Sequence, residues 1–451
     1  MSASVQADDV FQYFQNKAAN IQLPIADAAI KSKNYQQAFD IYKSLAENGQ
    51  SVAQYQLAWL YLNGIGVEKN PSFAAAWFMK SGSHGLAQAQ FALATLYYYG
   101  VGIEQGLPQA TTLYTQAAGN NNPLAQYMLG YLAENGLGMS KDYNAVLNWY
   151  SKAAAQGVSQ AQYNLGLLYY KGIGVPKDSA KAFTWFNMAA QSGLSRAQYM
   201  LGVIYSVERS DKNQAFYWYT RAAENGLADA QYNLGVMYFN GFGTAPNVNT
   251  AVSWIKKAAD QGLPEAQYVM GYLLFNGVGF PKDVNQGINW YQKAAMQSSA
   301  DAEFALGYLY HNGLGVPKDE RQAFAWMVQA AKQGLANAEY MVGLFYQQGL
   351  GVPSDLKAAV SWYTMAAQQG MDNAQLLLGV LYTEGQAGVS RDYRTAYAWL
   401  NLASTSSNSQ IRESALKMLD EIAKSMTPAD IGTAKQMSQV FYNKYAPVVT
   451  K

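Results

Sequence analysis

The sequence contains no cysteine and only two histidines. The first absence excludes disulfide frameworks, thiolate metal sites and a cysteine nucleophile, and the second leaves almost no imidazole for acid–base chemistry or metal ligation. Charge is sparse as well. Asp, Glu, Lys and Arg make up 14% of the 451 residues, and 31 basic against 30 acidic side chains leave a net charge of +1. That balance points to no nucleic-acid partner and to no acidic tail. No run of about 18 uninterrupted apolar residues occurs, so no membrane insertion is expected. Patterns such as His-Glu-x-x-His, the EF-hand loop, Gly-x-Ser-x-Gly and the Walker loop are missing too, so no catalytic residue, metal or cofactor is expected and the chain reads as a non-enzyme. What is abundant is aromatic: 35 tyrosines and 10 tryptophans, far from the charge-rich, aromatic-poor composition of disordered chains.

The aromatics are periodic. Ala53-Gln54-Tyr55-Gln56-Leu57-Ala58 recurs as Ala125-Gln126-Tyr127-Met128-Leu129-Gly130 and as Ala161-Gln162-Tyr163-Asn164-Leu165-Gly166. The leading alanine falls at 53, 89, 125, 161, 197, 230, 266, 302, 338 and 374, with eight intervals of 36 residues and one of 33. A length that would ordinarily suggest about three domains therefore reads as one elongated array. Within a unit, Ala161, Tyr163, Leu165, Gly166 and Tyr169 lie on one helical stripe. A Gly-x-Gly turn follows, as at Gly172-Ile173-Gly174, and Pro176-Lys177-Asp178 then opens a second helix with an aspartate placed to cap it. Trp77, Trp149, Trp185, Trp218, Trp254, Trp290, Trp326, Trp362 and Trp399 share one slot of that second helix, where a bulky side chain beside paired alanines reads as a stacking core.

These residues resemble the Sel-one-like repeat family, a relative of the tetratricopeptide repeat with a longer unit. The resemblance implies an all-α fold: a right-handed α-α superhelical solenoid of about ten helix-pair repeats with helical caps. It also implies a scaffold or adaptor role, and many bacterial members look like exported proteins, some in contact with host cells. The expected organisation is an N-terminal helical cap and half repeat over 1–52, the repeat solenoid over 53–404 and C-terminal capping helices over 405–451. Cap helices are expected over 8–20, 34–48, 410–425 and from Thr427-Pro428-Ala429-Asp430 to about 445. Repeat five, at Tyr205 to Lys212, has lost its Gly-x-Gly turn and three residues, which predicts either a local change of curvature or a plain shortened loop.

A groove lined by first helices is the expected binding surface. Counted from the leading alanine, the sixth and tenth following positions supply Trp59, Asn63, Tyr131, Asn135, Lys171, Asn240, Tyr272, Asn276, Tyr308 and Asn312, and His311 adjoins the last. Rings with amides suit a protein or an extended peptide. Two plainer readings stand beside this one: the sixth position packs between repeats, and asparagine before glycine helps to end the helix. The chain is thus read as a monomeric protein-binding scaffold, at a bacterial envelope or host interface and as a virulence factor, with a periplasmic regulator of a cell-wall enzyme or glycan as the alternative. Small residues at Val5-Gln6-Ala7 suit a trimmed signal sequence and favour a periplasmic or secreted place over a cytoplasmic one. The remote enzymatic reading, penicillin-binding or β-lactamase-like, rests on Ser-x-x-Lys at Ser253–Lys256, Ser354–Lys357 and Ser414–Lys417. Its companion motifs are absent, as are the cysteines of the family branch linked to penicillin binding.

Overall fold

The computed structural model describes residues 21–386 and 388–445, with side chains to residue 441; the helix expected over 8–20 lies outside them. Every regular element among the described residues is a helix. They form two compact units, one ending at Asn225 and one beginning at Gly226. The first unit opens with a helix over 21–31 and the half repeat Tyr35–Glu47, then five helix pairs from Ser51–Asn63 with Pro71–Ser83 to Ser195–Val207 with Lys212–Glu224. The second has five pairs, from Ala228–Asn240 with Val248–Asp260 to Asp372–Glu384 with Tyr393–Ala403, followed by Ser409–Ala423 and Pro428–Tyr445. Within each unit, a first helix packs on the second helix of its own repeat, and that second helix on the next first helix.

The connections follow from local chemistry. First helices end on a left-handed glycine, such as Gly172 at φ 71° and Gly277 at φ 74°, a conformation that costs a Cβ-bearing residue about 1–2 kcal/mol. The second glycine of the turn is required for another reason. A Cβ at Gly351 would stand 2.2 Å from the Glu320 carbonyl oxygen, and one at Gly102 would stand 2.4 Å from the Pro71 carbonyl carbon. The turn thus lies directly on the start of the preceding repeat's second helix. Aspartates then cap as expected: Asp178 accepts from the Lys181 N–H at 2.9 Å, and Asp319 accepts from the N–H groups of Arg321 and Gln322. The Asp178 N–H itself donates to the Tyr169 carbonyl at 2.9 Å, tying the second helix to the first.

Repeat five makes the same return bond with a shorter turn, the Asp211 N–H donating to Tyr205 at 2.8 Å. Ser210 takes the left-handed conformation at φ 53°, and the Arg209 guanidinium lies 3.7 Å from the Phe183 ring centroid. A cation over an aromatic face covers the start of the neighbouring second helix, which a Gly-x-Gly loop covers elsewhere.

The deepest anchor is not the tryptophan but the residue after it. Phe78, Tyr114, Tyr150, Phe186 and Tyr363 are at most 1% exposed, whereas Trp77, Trp149, Trp185 and Trp362 are only half-buried. One residue rotates the side chain about 100° around a helix, so the two neighbours cannot share the same pocket. Each ring of the buried set faces the small residue of its own first helix; a Cβ on Gly166 would meet Phe186 at 2.6 Å. The tryptophan instead seals the junction to the preceding repeat, as Trp185 does against the cluster around Tyr150 and Leu165. Trp399, 4% exposed, is the buried exception, because Phe441 of the last helix stacks on it with centroids 4.5 Å apart. That helix starts with the expected box, the Asp430 N–H donating to Thr427 Oγ1 at 3.2 Å.

A polar ladder runs through the stack that the sequence reading passed over. The residue after the leading alanine is glutamine in most repeats and is buried at 54, 90, 126, 162, 198, 231, 267 and 375. Gln162 Nε2 donates to the Ala154 carbonyl at 3.1 Å, and Gln267 does the same to Ala259 at 3.3 Å. The side-chain oxygen accepts from an amide thirty positions on, Gln156 to Gln126 at 2.8 Å and Gln297 to Gln267 at 2.9 Å. Where position thirty is not an amide the bond is lost: Ser192 stands opposite Gln162 and His84 opposite Gln54, and the Oε1 atoms of Gln162 and Gln54 are buried without a partner. Ser192→Gln is therefore expected to stabilise the first unit by about 1 kcal/mol, the usual worth of one satisfied hydrogen bond. Urea unfolding checks it, and an unchanged midpoint counts against the ladder.

Candidate partner-binding face

Positions four, seven and eleven residues apart on a helix fall on one stripe. On Pro264–Asn276 that stripe carries Glu265, Tyr272 and Asn276, and on Ala300–Asn312 it carries Asp301, Tyr308 and Asn312. Tyr272 is 51% and Tyr308 48% exposed, so neither ring is consumed by packing between repeats. Asn240, at the end of Ala228–Asn240, is exposed in the same register, and His311 is half-buried. Asn240, Tyr272, Asn276, Tyr308, His311 and Asn312 belong to the second unit. Trp59, Asn63, Tyr131, Asn135 and Lys171 belong to the first, where Trp59 is 39% exposed.

The asparagines have a local occupation. Asn63 donates to the Trp59 carbonyl at 2.9 Å, Asn135 to Tyr131 at 2.8 Å, and Asn240, Asn276 and Asn312 each donate to the carbonyl four residues back at 2.9 Å. Each of these carbonyls lies four residues before the asparagine in its own helix, so the side chain folds back onto the last helical turn as a second donor beside the backbone N–H. One N–H and the Oδ1 of each amide are not used by this bond.

His311 is a clamp across its turn. Its Nδ1 lies 2.7 Å from Glu320 Oε2, its ring centroid is 5.3 Å from that of Phe345, and Lys318 reaches the other Glu320 oxygen at 3.0 Å. Burial opposes ionisation of Glu320, but the hydrogen bonds from His311 and Lys318 outweigh it and hold the carboxyl below the usual range. The phenol of Tyr98 is pushed up by burial and then by the neighbouring Tyr131. Trp59 borders a cleft of about 370 Å³ formed with Asp27, Lys31, Tyr42, Tyr55 and Gln56. At its base the Tyr42 hydroxyl donates to Asp27, and burial followed by that carboxylate raises the phenol's pKa. Lys171 is an exposed charge at the last turn of its helix, where a cation suits the dipole.

At two of the Ser-x-x-Lys matches side chains have local partners. Lys256 is paired with Asp260 at 2.7 Å, and the Ser354 hydroxyl donates to the Gln347 carbonyl. No group of three or more His, Asp or Glu among the described residues could hold a metal ion, and no helix there is long and apolar enough to cross a membrane.

The Sel1 repeat family model matches eleven consecutive stretches: 30–50, 51–86, 87–122, 123–158, 159–194, 195–227, 228–263, 264–299, 300–335, 336–371 and 372–408. That is one more than the ten alanine-led units, the addition being the half repeat at 30–50. The chain is similar to c5321, described as a protective antigen present in uropathogenic Escherichia coli strains and displaying an SLR fold. The identity is 31% over 98% of this chain and 95% of that one, with a TM-score of 0.82. A Sel1 repeat protein from Oxalobacter formigenes is also 31% identical, over 72% of this chain and 93% of its own, with a TM-score of 0.54. No curated protein matches.

Proposed function

The chain belongs to the Sel1 repeat family of helical scaffolds, and from that footing we propose that it is a non-enzymatic adaptor that holds an extended segment of another protein against its first helices. The observation that carries this reading is the exposure of Tyr272 and Tyr308 in one register of consecutive repeats. Rings of this size left half in water, with amides beside them, are what partner surfaces use as anchors. The binding residues of this proposal are Trp59, Asn63, Tyr131, Asn135 and Lys171 on one unit and Asn240, Tyr272, Asn276, Tyr308, His311 and Asn312 on the other. We place the protein at a bacterial envelope or host interface, with support from its similarity to the c5321 antigen.

The triple variant Tyr272→Ala, Asn276→Ala and Tyr308→Ala tests the face. Because Tyr272 and Tyr308 are exposed, stability should change by no more than about 1 kcal/mol, while capture of the wild-type partner should fall at least tenfold. Equal capture by a variant with a normal helical circular-dichroism spectrum overturns the assignment.

A further inference from the structure

The second unit separates its charges by layer. Its first helices, Ala228–Asn240, Pro264–Asn276, Ala300–Asn312, Ala336–Gln348 and Asp372–Glu384, contain no lysine or arginine. Its second helices carry Lys256, Lys257, Lys293, Arg321, Lys332, Lys357 and Arg394. On three consecutive first helices the residue before the leading alanine is acidic: Asp229, Glu265 and Asp301. All three are exposed. Each begins the stripe that Tyr272 and Tyr308 continue, seven residues further along the latter two helices.

Helix formation accounts for a first-turn carboxylate but not for its place: Glu339 and Asp372 serve the dipole in the next two repeats, where the residue before the leading alanine is Asn337 or Asn373. Nor are they structural ion pairs, because none of the three has a cationic partner among the described residues. Their fields converge on the same face. Burial raises the Tyr232 phenol, and the charges of Glu265 and Asp301, one and two repeats on, raise it further. Tyr268 responds in the same way to burial and then to Asp301.

We propose that this face of the second unit binds an extended peptide whose lysine or arginine side chains meet Asp229, Glu265 and Asp301 in turn, with its backbone laid along Tyr272 and Tyr308. The proposal rests on the partner-binding reading above and adds the chemistry of the partner. An extended chain advances about 3.3 Å per residue, so a ligand with a cation at every third position presents one about every 10 Å along the row of carboxylates. Its occupant follows from charge complementarity: unpaired carboxylates in a row, with no cation in their layer, attract a basic segment and repel an acidic one.

The test uses the full chain and a fluorescein-labelled twelve-residue peptide, Lys-Leu-Ser repeated four times, read by fluorescence anisotropy against a Glu-Leu-Ser control. The lysine peptide should bind at least tenfold tighter than the control and weaken as salt is raised. The combined variant Asp229→Asn, Glu265→Gln and Asp301→Asn should lose at least tenfold in affinity with an unchanged helical spectrum. No binding of the lysine peptide, equal binding of the control, or full binding by the neutralised variant each overturns the proposal. If the neutralised variant captures the natural partner normally while the Tyr272, Asn276 and Tyr308 alanine variant does not, the face stands and its basic ligand falls.

Discussion

Replacing Gly351 by alanine is expected to destabilise the second unit by about 3–5 kcal/mol, among the largest effects of any single methyl group in this chain. Two costs combine. Gly351 sits at φ +66°, where a side chain costs about 1–2 kcal/mol. The added Cβ would also lie 2.2 Å from the Glu320 carbonyl oxygen, 2.4 Å from its carbon and 2.7 Å from the Arg321 nitrogen. Those atoms are backbone at the first turn of the helix Glu320–Lys332, so no rotamer change relieves the contact. The turn must lift off its neighbour, and the seam between two repeats opens with it. Gly349→Ala is the internal control. It has the same hand, φ +70°, but its Cβ would meet nothing closer than 3.5 Å, so only the conformational cost of about 1–2 kcal/mol is expected. Urea unfolding followed by tryptophan fluorescence reads both, since Trp326 and Trp362 flank the seam. Equal midpoints for the two variants would refute the close-approach argument. Because stability in stacked repeats is built from neighbour interfaces, the Gly351 variant is also expected to broaden or split the transition.

The difference between those two glycines marks the limit of what the sequence made legible. Period, caps and helix ends follow from requirements within a few residues of one another, and glycine, aspartate and alanine recur wherever the backbone demands them. The sequence reading therefore located both glycines of the turn but could assign only the first a reason. The second is fixed by the start of the preceding repeat's second helix, as Gly351 is by Glu320. Tryptophan misled in a related way, since size suggests the core, whereas the packing uses the residue after it and spends tryptophan on the junction between repeats. The buried glutamines went unread because a polar residue in an amphipathic pattern looks solvent-facing. Their fixed place beside the leading alanine was the available signal. At the positions read as a groove lining, Tyr272 and Tyr308 are exposed, and the asparagines bond to the last turns of their own helices.

Glu303 and Glu339 break the glutamine ladder in two consecutive repeats, and changing both to glutamine is expected to stabilise the second unit by about 1 kcal/mol each near neutral pH. At 3% and 4% exposure they are as buried as the glutamines they replace. Each still accepts from its partner thirty residues on, Gln333 at 2.7 Å and Gln369 at 2.8 Å. What a carboxylate cannot do is donate to the carbonyl eight residues back, as Gln267 and Gln375 do. Burial raises both carboxyl pKa values, and the amide partners offset this only in part. The sign follows: a carboxyl whose folded pKa lies above its unfolded value of about 4.5 lowers stability as pH rises through the interval between the two. Wild-type stability from these groups is therefore greatest below about pH 4.5 and is reduced at pH 7, whereas the glutamine variants do not titrate. The stabilising effect of the double variant should be largest at neutral pH and shrink on acidification. The sites lie one repeat apart without a shared partner, so the two effects should add. Chemical unfolding of the two single variants and the double at pH 4 and pH 7 checks this, and a gap that is constant or widens toward pH 4 would show that the carboxylates are not what weakens the ladder.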